Sequence, residues 1–298
     1  NDEKKYIDKS VSIAGRIISI RKMGKSSFLN IKDMSSKIQV YTNNNNLPEN
    51  IYDIIVRKLD IGDTVGIKGK VFFTKTNELS INADEIQLLS KNLHPLPNMK
   101  EKDGELFFSF DDKEHRYRKR YLDLIINDDS KDVFIKRFNI INKIRNYLND
   151  NKFIEVETPI LQPLYGGANA RPFTTFHNTL DQKLYLRIAD ELYLKRLIVG
   201  GFEKVYEISK NFRNEGMDKN HNPEFTMLEF YSAYSDVYDM MKLTEGMIKN
   251  LINDLNFEIE GINFNKKFDI FNFFEILDKS SNSDVSKMDT NQIHKLML

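Results

Sequence analysis

The chain of 298 residues contains no cysteine, which excludes disulfide bonds and thiolate metal sites. It also contains no apolar run that approaches the length of about 20 residues that a membrane-spanning helix needs, so we expect no membrane partner. The polar first residues have no signal-peptide core, and this predicts a cytoplasmic protein. Lysine plus arginine (44) balance aspartate plus glutamate (44), so any contact with nucleic acid must come from local patches.

The composition that remains is that of an ordinary globular protein, with 40% hydrophobic and 30% charged residues. A chain of this length is typical of two domains rather than one. Strand-like alternation, linker signals and a cluster of chemically active side chains follow one another along the sequence. These patterns divide the chain into segments of different character.

Short alternating segments fill the first part of the chain, roughly residues 10–93. Their period of two and the glycine and asparagine residues between them indicate a small antiparallel β-domain. About five strands with one helical stretch near residues 51–59 fit an OB-fold, a partly open barrel that binds oligonucleotides on one face. An OB-fold that serves only as a spacer is the alternative. The clearest strand segments are Phe28-Leu29-Asn30-Ile31, Lys37-Ile38-Gln39-Val40-Tyr41 and Glu78-Leu79-Ser80-Ile81.

The next part begins with an extended linker at residues 94–97, where two prolines disfavour a helix. A stretch dense in charge and aromatic residues follows at 112–125, and taken alone it would be a solvated helix face. Residues 131–158 then show apolar side chains at helical spacing and a strand that ends at Pro159. After residue 241 the pattern predicts one more helix and loops.

The densest chemical signal lies at residues 212–231, which contain Phe-Arg-Asn-Glu-Gly, then His-Asn-Pro-Glu-Phe-Thr, then a glutamate and a tyrosine. Such a set suits a ligand with phosphates, a flat base and an ammonium group. Arg213 offers a planar fork of donors for phosphate oxygens. Phe225 offers a face for a purine ring, and Glu229 offers a counter-charge. A surface hairpin with solvated charges is the alternative.

This stretch resembles motif 2 of the class II aminoacyl-tRNA synthetases, and more narrowly that of the bacterial-type lysyl-tRNA synthetase family. The helix, strand and proline before it are similar to motif 1, which builds the dimer interface of that family. The resemblance implies an α+β fold and a homodimer. It assigns residues 1–95 to an OB-fold anticodon-binding domain, 96–130 to an interdomain linker and 131–298 to the N-terminal part of an antiparallel-sheet catalytic domain.

The resemblance also implies a reaction, in which lysine is activated with ATP and transferred to tRNA(Lys). Arg213 would be the catalytic residue at the α-phosphate. The other implied ATP contacts are Glu215 at the adenine amino group, Phe225 stacked on the ring, and His221 and Asn222 at the remaining phosphates and Mg²⁺-bound groups.

L-Lysine carries two ammonium groups, and burial of either one without a counter-ion is costly. The resemblance places Glu229 and Tyr231 at the side-chain ammonium, and Glu191 with the backbone of Gly167 at the α-amino group. For the anticodon, it implies stacking on Phe28 and hydrogen bonds between base edges and Arg21 and Gln39, and Glu78 would accept from a uracil N–H or an adjacent group. Phe28 as a residue of the barrel core is the alternative.

Two expected features of the family are missing from the sequence. No glycine-rich segment with an arginine follows residue 261, so motif 3 is absent, and no acidic helix offers Mg²⁺ ligands, which are expected outside this chain. We therefore expect the chain alone to be inactive. An asparaginyl- or aspartyl-type synthetase remains an alternative, although an anionic substrate would favour a cation where Glu229 stands. A non-catalytic tRNA-binding remnant is the other alternative.

Overall fold

The computed structural model describes residues 3–97, 99–102, 105–108, 110–255 and 261–296. The chain forms two compact units, Asn1–Val133 and Phe134–Leu298. The division into three parts, with a separate linker at 96–130, stays a prediction. Among the described residues, every helix is too short or too polar to cross a membrane.

The first unit is built on a closed five-stranded barrel with the strand order β1-β2-β3-β5-β4. All neighbouring strands are antiparallel except β3 and β5, which run parallel. This confirms the predicted OB-fold, although the barrel is closed where a partly open one was expected. Its elements are β1 (Ser10–Met23), β2 (Ser26–Lys32), β3 (Lys37–Asn43), α1 (Ile51–Ile54), β4 (Thr64–Phe73) and β5 (Leu79–Ser90).

Alternation along the strands determines which side chains fill the barrel. In β2, Leu29 and Ile31 are buried, whereas Phe28 and Asn30 lie on the outer side and are only half-buried. Burial of each large apolar side chain contributes about 1.5–3 kcal/mol. Gly69 lets β4 approach β5 closely, because a Cβ at that position would lie 2.1 Å from the carbonyl oxygen of Asn82.

The rest of the first unit contains a hairpin and two short helices, namely β6 (Met99–Lys102), β7 (Glu105–Phe108), α2 (Lys113–Arg118) and α3 (Arg120–Ile126). The charged stretch is not simply a solvated face, because it surrounds the fully buried carboxylate of Asp123. Arg116 Nε donates to Asp123 Oδ1 at 2.7 Å, Asn127 Nδ2 donates at 2.8 Å, and Ser130 and Arg120 donate to Oδ2. Burial alone would raise the pKa of Asp123, but these hydrogen bonds outweigh it and lower that pKa.

A long helix, α4, carries the chain into the second unit, where two three-stranded sheets follow. One sheet has the order β13-β12-β8, with β12 and β13 antiparallel, and the other has the order β10-β11-β9. The elements are α4 (Asp128–Asp150), β8 (Ile154–Glu155), β9 (Leu161–Gln162), β10 (Thr174–His177), β11 (Gln182–Leu186), α5 (Glu191–Val199), β12 (Lys204–Phe212), β13 (Glu224–Ser232), α6 (Val237–Leu255), α7 (Phe273–Ser281) and α8 (Thr290–Leu296).

Helix α4 is closed by a left-handed residue just beyond its last turn. Lys152 adopts a left-handed conformation with φ 67°, and Phe153 N donates to Leu148 O at 3.0 Å, which closes the helix end. The strand that follows is only two residues long. Leu148, Phe153 and Tyr206 form a buried cluster that packs α4 against the sheet of β12 and β13.

The segment after residue 241 holds more regular structure than predicted. The sequence indicated one helix there, whereas the described residues also contain α7 and α8. Asn272 caps α7, since its side-chain oxygen accepts a hydrogen bond from Phe274 N at 2.9 Å. Two short amphipathic helices among loop-like residues were hard to distinguish from irregular structure by periodicity.

Candidate functional sites

The long hairpin of β12 and β13, together with the first turn of α5, forms the first candidate site. The strand register pairs Glu207 with Glu229 and Asn211 with Phe225. The intervening loop leaves β12 after Phe212 and returns at Glu224, and Arg213 N donates to Pro223 O at 2.8 Å. The strand, loop and strand predicted for motif 2 are therefore present.

Glu229 and Tyr231 lie on the same side of β13, because they are two positions apart in a strand. Tyr231 OH donates to Glu229 Oε2 at 3.0 Å, and the backbone N–H of Asp190 donates to Glu229 Oε1 at 3.1 Å. Each carboxylate oxygen thus has one protein donor and further lone pairs for a ligand cation. Burial raises the pKa of the Tyr231 phenol, and the charge of Glu229 raises it further, so the phenol remains a donor.

Gly167 and Glu191 lie directly against each other in the structure. Gly167 has φ 86°, and a Cβ there would lie 2.8 Å from the Cβ of Glu191, so no larger residue fits without a shift. Glu191 is the first residue of α5, next to the Asp190 N–H that binds Glu229. Lys195 Nζ donates to Glu191 Oε1 at 2.6 Å and lies 6.0 Å from the centroid of the Tyr231 ring.

Arg213 and Phe225 are also brought together. The guanidinium carbon of Arg213 lies 5.1 Å from the centroid of the Phe225 ring. Arg213 Nε is buried and finds no hydrogen-bond partner among the residues that the structure describes. A buried donor without a partner is costly, and a phosphate oxygen would satisfy it.

The loop between β12 and β13, at residues 213–223, is hydrogen-bonded to the segment around Arg171. Arg171 N donates to Glu215 Oε1 at 3.3 Å, and Asn214 N donates to Arg171 O at 2.7 Å. His221 and Asn222 are exposed, and their side-chain hydrogen bonds go to neighbours within the same loop: His221 pairs with Asp218, and Asn222 Nδ2 donates to Glu224 O. Their predicted contacts with outer phosphates stay predictions.

A buried polar network beneath the site was missed by the sequence reasoning. Arg187 Nη1 donates to Glu207 Oε1 at 2.7 Å, and Arg187 Nε donates to Lys210 O at 2.9 Å. Ser209 Oγ donates to Asp190 Oδ2 at 2.5 Å. Polar residues at alternate positions 207, 209 and 211 of β12 give this strand a polar inner face. That alternation was the available signal.

Metal binding has no support in the described ranges, which contain no group of three or more His, Cys, Asp or Glu side chains placed to hold a metal ion. The part of the chain that the structure describes thus contains no preformed protein cage for the Mg²⁺ that the family resemblance implies.

The second candidate site is a groove on the barrel of the first unit, with a cavity volume of about 400 Å³. It contains all four residues predicted to read an anticodon. The guanidinium carbon of Arg21 lies 5.4 Å from the centroid of the Phe28 ring, and Ser80 Oγ donates to Gln39 Oε1 at 2.9 Å. The groove is lined by Arg21, Phe28, Gln39, Tyr41, Phe72, Thr74, Lys75, Thr76 and Glu78.

Two aromatic residues of this groove were not predicted. The ring centroids of Phe28 and Tyr41 are 5.0 Å apart, and those of Tyr41 and Phe72 are 6.3 Å apart. Phe28 is thus part of an aromatic row on the barrel wall rather than of the core. The signal for Tyr41 was its outward position beside Val40, which is buried in β3. The row suits stacked bases.

Comparison with known proteins finds a family match for each of the two parts of the chain. The family of class II tRNA synthetases (D, K and N) matches residues 112–296, and the OB-fold nucleic acid binding domain matches residues 11–89. The lysine–tRNA ligase of Idiomarina loihiensis is 50% identical over 275 residues, which are 90% of this chain and 53% of the relative. That of Aeromonas hydrophila is 53% identical over 254 residues, 85% of this chain and 48% of the relative.

A further lysine–tRNA ligase, from Azobacteroides pseudotrichonymphae, is 48% identical over 297 residues, 96% of this chain and 59% of the relative. The chain thus spans about half the length of the curated relatives it matches. The synthetase match extends over more than half of the chain. The chain therefore belongs to the class II tRNA synthetases of the D, K and N family.

Proposed function

We propose that this chain is part of a lysine–tRNA ligase, which activates lysine with ATP and transfers it to tRNA(Lys). The observation that carries the proposal is the Glu229 carboxylate, which receives one donor on each oxygen and keeps lone pairs for an ammonium group. Glu191, against Gly167, supplies a second carboxylate close to it. The relatives named lysine–tRNA ligase support this substrate.

The pocket favours lysine over the other substrates suggested by the family name. An aspartate side chain would be repelled by Glu229, and an asparagine side chain would leave that carboxylate without a counter-charge. A site that pairs a charge rejects ligands that lack it. The structure of the pocket thus argues against the aspartyl- and asparaginyl-type alternatives.

In the proposed reaction the lysine carboxylate attacks the α-phosphate of ATP, and pyrophosphate leaves. Arg213 stabilises the charge at the α-phosphate, with an unpartnered Nε ready for an oxygen. Removal of one such donor costs about 3 kcal/mol in the transition state. Phe225 stacks on adenine, Glu215 binds its amino group, and His221 and Asn222 meet the outer phosphates. The described residues provide no preformed protein ligand set for Mg²⁺.

In the same proposal, the barrel groove holds the anticodon of tRNA(Lys). Phe28 stacks on a base, and Arg21, Gln39 and Glu78 hydrogen-bond base edges. The aromatic row supports this role, since base–aromatic stacking is worth about 1–3 kcal/mol per base. The cytoplasmic location stays a prediction.

Homodimer formation is a further part of the proposal. The exposed apolar side chains of α4 include Ile135 at 41% and Phe138 at 62%. A second copy would cover them in an isologous contact. Sedimentation at micromolar concentration should show a dimer, and a monomer would contradict this assignment for the chain.

Two experiments test the function. In calorimetric titrations the chain should bind lysine in preference to aspartate and asparagine, and equal affinities would refute the pocket assignment. In ATP–pyrophosphate exchange we expect at most about a hundredth of the rate of an intact synthetase, since even one missing charge-stabilising donor costs about a hundredfold. Lysine-dependent exchange at the full rate would contradict the expected absence of motif 3.

Lysine and tRNA binding without exchange fits either the proposed ligase or the non-catalytic remnant, and activity of a longer form distinguishes them.

A further inference from the structure

The first turn of α5 links the two carboxylates of the proposed lysine pocket. Asp190 N donates to Glu229 Oε1 at 3.1 Å, and the next residue is Glu191, which contacts Gly167. The position of this turn therefore determines how Glu229 is oriented and where Glu191 lies.

The side chain of Asp190 is completely buried, although nothing in the proposed reaction uses it. Ser209 Oγ on β12 donates to Asp190 Oδ2 at 2.5 Å, and Asn211 Nδ2 lies at 3.4 Å from the same oxygen. Ser209 and Asn211 are two positions apart on one face of β12. The carboxyl group thus connects the start of α5 to the strand that pairs with β13.

Asp190 does not serve mainly as the partner of the nearby Arg187. Arg187 Nε lies 3.2 Å from Asp190 Oδ1, but this oxygen has no hydrogen-bond partner among the described residues, and the Nε hydrogen bond goes to Lys210 O. Arg187 Nη1 is bound to Glu207 Oε1 at 2.7 Å. Burial raises the pKa of Asp190, and the hydrogen bond from Ser209 and the charge of Arg187 only partly oppose that rise.

We propose that Asp190 is a positioning residue, whose bond to Ser209 holds the first turn of α5 so that Glu229 is aimed at the side-chain ammonium of the substrate. The inference rests on the proposed function, because it takes lysine as the ligand. Asp190 touches no substrate itself, and acts on ammonium recognition through the backbone N–H that it fixes.

The test compares the binding of lysine and of norleucine, which lacks only the side-chain ammonium, to variants of the whole chain. Asp190→Ala should weaken lysine binding about tenfold, because the backbone N–H that donates to Glu229 is no longer held in place. Norleucine binding should stay within about twofold of the wild type. Asp190→Asn should restore lysine binding to within about threefold of the wild type, since its amide oxygen still accepts from Ser209. Asp181→Asn, the same change in an exposed turn, is the matched control.

Several results would overturn the inference. Loss of lysine and norleucine binding together would indicate general damage to the fold, and failure of Asp190→Asn to rescue would indicate a role of charge. If Asp190→Ala does not fold, Ser209→Ala removes the same hydrogen bond, and unchanged selectivity there refutes the proposal. Glu229→Gln distinguishes an error in the proposed lysine pocket from an error in the positioning role of Asp190. If it leaves the preference for lysine over norleucine intact, the lysine pocket itself is wrong; if it abolishes the preference and the Asp190 and Ser209 variants do not change it, only the positioning role is wrong.

Discussion

Replacement of Glu229 by glutamine tests the central contact of the proposed pocket with little change in shape. The amide oxygen can still accept from Asp190 N, but the amide NH₂ cannot accept from the phenol of Tyr231. An ammonium about 4 Å from a carboxylate gains about 4 kcal/mol at an effective dielectric constant of about 20. The glutamine oxygen recovers part of this, so we expect a net loss of about 2–3 kcal/mol, or ~30- to 150-fold in lysine affinity.

Calorimetric titration of the chain with lysine and with norleucine measures this loss. Norleucine affinity should stay the same, because it has no ammonium for Glu229. Glu224→Gln is a matched control on the same strand, since its carboxylate makes only an exposed ion pair, 3.3 Å from Lys210 Nζ. A lysine dissociation constant for Glu229→Gln within threefold of the wild type would show that Glu229 does not bind the side-chain ammonium.

Three further predictions concern other parts of the chain. Phe28→Ala should weaken binding of a U-rich anticodon stem-loop by about 1–3 kcal/mol in fluorescence anisotropy, and higher salt should weaken it further; equal binding of a C-rich loop would contradict specific reading. Gly167→Ala should destabilise the fold by at least about 1 kcal/mol and so lower the melting temperature, because Gly167 has φ 86° and an added Cβ would lie against Glu191. Gly216→Ala should leave the melting temperature unchanged, because a Cβ at that position would meet no atom within 4 Å. Asp123→Asn should cost about 2–3 kcal/mol in denaturant unfolding at pH 7. Because folding lowers the pKa of Asp123, its ionised carboxylate contributes fully to the free energy of unfolding above the ordinary carboxylate pKa, and this contribution is lost as the pH falls. The difference in unfolding free energy between the wild type and Asp123→Asn should therefore narrow below about pH 4. A constant difference down to pH 2 would refute the assigned cause.

Local patterns were enough to predict the features that depend on neighbours in sequence. Alternation placed Leu29 inside the barrel and allowed Phe28 outside it, and the spacing of Glu229 and Tyr231 put both on one side of a strand. The left-handed conformation of Lys152, which closes α4, was not predicted, because a left-handed residue other than glycine or asparagine gives no sequence signal.

The buried network needed contacts between distant segments. Asp190 precedes α5 as an ordinary polar residue in the sequence, and only the packing of α5 against β12 makes it a buried acceptor for Ser209. Tyr41 and Phe72 likewise come from separate strands of the barrel, and their shared groove follows from the order of the strands. Arg213 and Phe225 were predicted together by family resemblance, and the antiparallel hairpin explains their contact.

The parallel pairing of β3 with β5 has a consequence for how the barrel can meet RNA. Each of the five strands pairs with two others, so the described barrel has no edge strand of the kind that an open sheet presents to a partner's backbone. In the proposed anticodon-binding role, discrimination between bases then depends on the outward side chains of the barrel wall. These positions can be exchanged without any change in strand pairing, so the barrel could acquire a different base preference while it keeps the same fold.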